Sequence, residues 1–205
     1  MEKTPVRYVA LGDSYTICTG TTAENSWPVL LCKHLNQNET DITLVANPSR
    51  NGFTTQDLID SELPVYELSN PTFATLLIGV NDWVQGVDAK IFRKNLAYIL
   101  DKMQAKLSNK SNLVLITIPD FGVTPTGARY SGGRDISKGI AEFNAIILEE
   151  AKKRNLKTVD LFPKSKEMGK DRSLVAADGL HPSAKEYAVW KTLIYPVVYD
   201  ALSYH

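Results

Sequence analysis

Apolar residues gather in five short runs along the chain: Val6–Leu11, Ile42–Ala46, Ala74–Ile78, Leu113–Ile118 and Thr158–Phe162. The runs are rich in Val, Ile and Leu and lack the strict alternation of a half-buried strand. Strands covered on both faces read this way, as in a parallel sheet held between helices. Between the runs the period changes. Ile136, Ile140, Phe143, Ile147 and Ala151 follow one another at steps of four, three, four and four residues. Leu96, Ile99, Leu100, Met103 and Leu107 make a second such stripe. Each stripe is one apolar face of a helix. Shorter helices are predicted over Trp27–Leu35 and Thr54–Leu63. A last helix is signalled by Ser183 and Glu186 at capping-box spacing, with Tyr187, Ala188, Leu193, Val197 and Ala201 following.

Strands that alternate with helices imply an α/β chain: a doubly wound, three-layer α/β/α sandwich on a five-stranded parallel sheet, joined by right-handed crossovers. No repeat, low-complexity stretch or linker interrupts the pattern. The 205 residues fit one domain over residues 1–205, large enough to bury a core without staples. In sheets of this kind ligands bind beyond the carboxyl ends of the strands.

Composition removes several function classes. Hydrophobic residues make up 43% and charged residues 22%, as in ordinary soluble proteins. Lys plus Arg and Asp plus Glu are 23 each, so the formal charge is zero. Nothing electrostatic points to nucleic acid or an anionic membrane surface as partner. Neither a G-x-G-x-x-G nor a P-loop pattern occurs, which argues against nucleotide binding. Two cysteines, Cys18 and Cys32, make no disulfide framework and are expected to be buried free thiols. The amino terminus lacks the apolar stretch of a signal peptide, and no run approaches the ~20 residues of a membrane span. A cytoplasmic protein is the expectation, although a mature secreted form would read the same. Asn38-Glu39-Thr40 and Asn109-Lys110-Ser111 match the glycosylation pattern and are read as chance matches.

Polar clusters then stand where the fold would bring them together. Gly12-Asp13-Ser14-Tyr15 follows the first strand, and Arg50-Asn51-Gly52-Phe53 follows the second after a short turn. Gly79-Val80-Asn81-Asp82 follows the third, and Asp178-Gly179-Leu180-His181 precedes the last helix. Taken singly, each could be no more than a turn. Together they supply what acyl transfer needs. A serine hydroxyl is a poor nucleophile until a base takes its proton, and histidine is the usual base near neutrality. Of the three histidines, His205 is terminal and His34 falls in a helix pattern beside Cys32 and Leu35. His181 lies in a loop with a carboxylate three residues earlier. That spacing lets Asp178 fix the ring through Nδ1 and leave Nε2 for Ser14.

With these blocks the chain resembles the SGNH hydrolases, also called GDSL esterases and lipases. Gly12-Asp13-Ser14, Gly52, Gly79-Val80-Asn81-Asp82 and the D-x-x-H of Asp178 and His181 match the family's blocks in order, over residues 12 to 181. Tyr15 stands where the family name carries leucine. The resemblance implies a flavodoxin-like fold, Ser14 as nucleophile, and an oxyanion hole made by the Ser14 N–H, the Gly52 N–H and the Asn81 amide. Three such fixed donors would stabilise the negative oxygen of the tetrahedral intermediate. No cofactor or metal is implied: neither an H-E-x-x-H nor a His/Cys cluster occurs. There is also no G-x-S-x-G elbow of the α/β-hydrolase kind.

The expected partner is a small-molecule ester, with short acyl chains favoured because no amphipathic lid is inserted in the sequence. Acyl transfer to an alcohol by the same triad is the alternative, and a non-catalytic binding module is a third reading. Tyr15, Phe53, Trp83 and Phe121 adjoin the motif loops and are candidate substrate contacts. Pro119 to Gly133 and Pro163 to Ala177 are expected to border the cleft.

Overall fold

A computed structural model describes residues 5–203, so His205 lies outside the described residues. Five strands form one parallel sheet: β1 (Val6–Gly12), β2 (Ile42–Ala46), β3 (Phe73–Leu77), β4 (Leu113–Ile116) and β5 (Lys157–Val159). Their spatial order is β2-β1-β3-β4-β5. Registers such as Ala10 opposite Thr75 and Leu76 opposite Leu115 align the carboxyl ends of β1, β3 and β4. The central strands are buried along most of their length, whereas β2 and β5 are partly exposed because each is an edge.

Among the described residues, nine α-helical segments accompany the strands: α1 (Ser14–Ile17), α2 (Trp27–Gln37), α3 (Thr55–Asp57), α4 (Leu63–Leu68), α5 (Val80–Val84), α6 (Ala89–Lys106), α7 (Ile136–Lys153), α8 (Phe162–Ser165) and α9 (Ala184–Ser203). The strand order and the right-handed crossover rule put the β1–β2 helix on one face and the next three crossovers on the other. Packing agrees: α2 lies on α9, while α6 touches both α4 and α7. The apolar stripes of α6 and α7 face the core, where Phe92 stacks on Phe143 at 4.5 Å. The result is the expected α/β/α sandwich.

Two local expectations need correction. The helix predicted over Thr54–Leu63 is broken into α3, a π turn over Leu58–Glu62, and α4. Pro64 explains the break: it has no N–H to continue the ladder, and Leu63 N instead reaches back to Leu58 O. The capping box at Ser183 is only half made. Ser183 Oγ accepts Glu186 N at 3.4 Å, but the Glu186 carboxylate accepts the Trp190 indole N–H at 2.8 Å instead of turning back.

Candidate active site

The first cluster is a sharp exit from the sheet. A Cβ at Gly12 would lie 2.2 Å from Leu77 O and 2.3 Å from Thr16 Oγ1, so only glycine allows β1 to pass this close to β3 and turn into α1. Asp13 caps α1 by accepting Tyr15 N through Oδ1 at 3.0 Å. Ser14 is thereby the first residue of α1, and it is buried.

The loop after β2 is tied to this turn. Asn47 Nδ2 donates to Thr16 O at 3.0 Å, and Thr19 Oγ1 donates to Asn51 Oδ1. Gly52 has φ +81 and open space where a Cβ would stand.

The third cluster grips the same loop from α5. Asn81 Nδ2 donates to Phe53 O at 2.9 Å, and Gln85 Nε2 donates to Gly52 O at 3.4 Å. The buried Asp82 accepts Thr55 N at 2.9 Å and Thr55 Oγ1 at 2.5 Å. Burial raises the Asp82 carboxyl, against the hydrogen bonds from Thr55. One helical turn therefore fixes the register of residues 52 to 55. Gln85 is unmarked in the sequence, and Asp82 appears there only as the last residue of the third block, with no role of its own.

Asp178 and His181 form a closed unit. His181 Nδ1 lies 2.6 Å from Asp178 Oδ2, while Asp178 Oδ1 accepts the N–H groups of Leu180 at 2.8 Å and His181 at 3.0 Å. Burial alone would raise the Asp178 carboxyl, but the hydrogen bonds from the His181 ring and the two N–H groups hold it below its ordinary range. Asp178 keeps 42% of its side chain exposed and His181 only 15%.

The His181 loop meets the Ser14 turn through Tyr15 and Gly20. The Tyr15 and His181 ring centroids are 6.0 Å apart, edge to face, and a Cβ at Gly20 would lie 3.4 Å from His181 Cβ. Among the hydrogen bonds of the described residues, none joins Ser14 Oγ to His181. The two long segments expected to border the site do reach this loop. Thr126 N and Oγ1 both donate to Gly179 O at 3.0 Å, and Val175 pairs with Pro182.

The four candidate aromatics separate by burial. Tyr15, Trp83 and Phe121 are at most 5% exposed and belong to the core, Trp83 against Phe121 and Tyr15 against Trp190. Their burial leaves little surface for a ligand. Phe53 alone is half-buried. Arg134, unmarked by sequence, lies 4.0 Å over the Trp83 ring and donates to the carbonyls of Trp83 and Val84 at 2.7 and 2.9 Å. A cavity of about 330 Å³ lined by Asn109, Ser111, Asn155, Leu156, Lys157 and Ala201 lies at the amino ends of β4 and β5, the far end of the sheet from these loops. Cys18 and Cys32 are buried free thiols whose ionisation burial opposes. Among the described residues, no three His, Cys, Asp or Glu side chains group to hold a metal, and no helix is long and apolar enough to cross a membrane.

Residues 10–189 match the GDSL-like lipase/acylhydrolase family. The chain belongs to that family. It is a carboxylic ester hydrolase of the GDSL type. Solved structures share the fold of this GDSL hydrolase. TesA is 21% identical, with TM-score 0.76 over 95% of this chain and 99% of its own. The psychrotrophic esterase EstA from Pseudoalteromonas sp. is 22% identical, with TM-score 0.73 over 96% and 98%. The Clostridium thermocellum family 3 carbohydrate esterase is 19% identical, with TM-score 0.77 over 97% and 98%. No curated protein matches the sequence.

Proposed function

We propose that this GDSL hydrolase cleaves esters of short carboxylic acids through an acyl-enzyme on Ser14, with His181 as general base and Asp178 as the group that orients His181. The observation that carries the reading is the 2.6 Å contact between Asp178 Oδ2 and His181 Nδ1. It holds Nδ1 as the donor to Asp178, so Nε2 is the nitrogen free to take a proton. Tyr15, which follows Ser14 in α1, packs edge-on against that ring.

In this mechanism Ser14 Oγ attacks the ester carbonyl carbon while its proton passes to His181 Nε2. The carbonyl π electrons move to oxygen, and the oxyanion is met by the Ser14 N–H, the Gly52 N–H and the second N–H of the Asn81 amide. The intermediate collapses, the alcohol leaves with the proton from His181, and the acyl group stays on Ser14. Water then repeats the attack, giving its proton to His181, and a carboxylic acid and free Ser14 result. Catalytic serine–histidine contacts are often long before substrate binds and tighten in the complex. The open space beside Gly52 and the exposed part of Phe53 support an acyl site on that side.

The test is a purified Ser14→Ala protein with its fold checked by circular dichroism. Loss of hydrolysis of nitrophenyl acetate, together with a phosphonate adduct on Ser14 in the wild type, is the expected result. Near-wild-type turnover in Ser14→Ala, or an adduct mapped elsewhere, would overturn it.

A further inference from the structure

Two carboxyls lie beneath the Ser14 turn, and the reaction above uses neither. Asp13 and Glu62 are both 0% exposed. Both meet the end of β1, Asp13 as the next residue and Glu62 from 50 residues further along the chain. Asp13 Oδ1 accepts Tyr15 N at 3.0 Å, and Glu62 Oε2 accepts Gly12 N at 3.0 Å. Each thus has one oxygen bound to a backbone N–H of the turn. The other oxygen of each, Asp13 Oδ2 and Glu62 Oε1, is buried without a hydrogen-bond partner.

Two ionised carboxylates cannot share a dry site without a cation. Among the described residues, none of the ion pairs involves either carboxyl. The groups that act on them are acids too. The Asp82 charge raises Asp13, the Asp13 charge raises Glu62, and the Asp13 charge also raises the phenols Tyr15 and Tyr187. None can neutralise a second negative charge. A proton can.

We propose that Asp13 and Glu62 hold one proton between them, and that Glu62 is a positioning residue which keeps the Gly12–Ser14 turn in place as long as that proton is present. The role rests on the reading of Ser14 as nucleophile. Burial pushes both carboxyls far above the usual carboxylate range, to about 8, and the Asp13 charge adds to the rise at Glu62. Loss of the shared proton would set two charges against each other behind Ser14, where backbone N–H groups such as those of Gly12 and Tyr15 are the donors to them.

The sign of the pH dependence follows. A carboxyl whose folded pKa is raised binds its proton more tightly in the native state than in the unfolded one. The stability it contributes is full below the unfolded pKa and is lost as pH rises through the folded value. The wild-type melting temperature should therefore fall by about 5 °C or more between about pH 6 and about pH 8. Its kcat/KM should decline over an alkaline limb as the proton leaves.

Glu62→Gln tests this directly. The amide oxygen can accept Gly12 N, the amide N–H can donate to Asp13, and the second charge that forms when the pair ionises is gone. Its melting temperature should be flatter across that range and its alkaline limb of kcat/KM should move up or vanish. Asp13→Asn, which can accept Tyr15 N and donate to Glu62, is the second variant and should behave alike. A wild-type melting curve flat from about pH 6 to about pH 9 overturns the pair, as does the same alkaline fall in wild type and both amide variants. The melting arm involves no catalysis. Failure of the pair thus shows in melting, whereas failure of the Ser14 reading shows as an active Ser14→Ala protein.

Discussion

Asp178 holds His181 at two points, through its ring at Nδ1 and through its own backbone N–H. The loop from 178 to 181 therefore carries both the proposed base and its support in one tight turn. Replacing Asp178 with Asn would keep much of that turn but turn the carboxylate acceptor at Nδ1 into an amide. The favoured tautomer would be lost with it. Asp178→Asn should lower kcat by about 10²–10⁴-fold with a smaller effect on KM. Steady-state kinetics on nitrophenyl acetate reads this out. Wild-type kcat in Asp178→Asn would remove Asp178 from the mechanism.

The same carboxylate has a depressed pKa, so its stabilising contribution is present above the unfolded value and fades as pH falls through the folded one. Because 42% of the side chain faces solvent, the effect should be small. Melting curves of wild type and Asp178→Asn should differ little at acid pH, where the wild-type carboxylate is protonated, and most near neutrality.

Trp83 and Phe53 separate a core role from a substrate role. Trp83 packs under Arg134 and against Phe121, and a Cβ at Gly139 of α7 would stand 1.8 Å from its Nε1. Trp83→Ala should cost about 3–5 kcal/mol of stability, and Gly139→Ala about 1–3 kcal/mol through overpacking. Phe53→Ala should change stability much less and act on KM for the ester. Chemical denaturation of the three variants, with KM for Phe53→Ala, checks the division. A folded Trp83→Ala protein of normal stability and raised KM would return Trp83 to the substrate site.

The sheet was readable because most strands are short, mainly apolar runs between polar turns. Ile42–Ala46 was read at its observed bounds; the ends of the others moved because pairing to a neighbour, absent from the local pattern, sets where a strand stops. The long stripes of α6 and α7 were equally plain. The break at Pro64 was visible as a proline, but the π turn depends on which carbonyl Leu63 N finds, and only the folded chain decides that. At the site, Asp178 and His181 were legible because their contact spans three residues. The grip of Asp82 on Thr55 and the approach of Glu62 to Gly12 span 27 and 50 residues, and no local pattern announces either. The aromatics show the reverse: adjacency to a motif loop carries no information about burial.

Acyl length should be decided near Phe53. Short esters, acetyl to about butyryl, should give the highest kcat/KM in a series of nitrophenyl esters, run beside acetylated sugars and lysophospholipids. The other flanking aromatics are committed to the core, which leaves little apolar surface to receive a long chain. A maximum at octanoyl or beyond would contradict this.

Asn81 offers the sharpest separation between chemistry and scaffolding. Its Nδ2 already donates to Phe53 O at 2.9 Å, so its amide plane is fixed by the Gly52–Phe53 loop and one N–H remains for an oxyanion. Asn81→Ala should lower kcat by on the order of 10²–10³-fold, the usual cost of removing one oxyanion donor. KM should move little, because the donor matters most once charge has developed on oxygen. The lost bond to Phe53 should also cost about 1 kcal/mol of stability, a modest fall in melting temperature. Asp82 and Gln85 still hold Thr55 and Gly52 in the variant, so the loop should keep its place and turnover should remain above that of Ser14→Ala. Measuring kcat, KM and melting temperature on one preparation distinguishes the roles. A lowered melting temperature with kcat within a few-fold of wild type would make Asn81 a loop clamp and leave the oxyanion to the backbone N–H groups of Ser14 and Gly52.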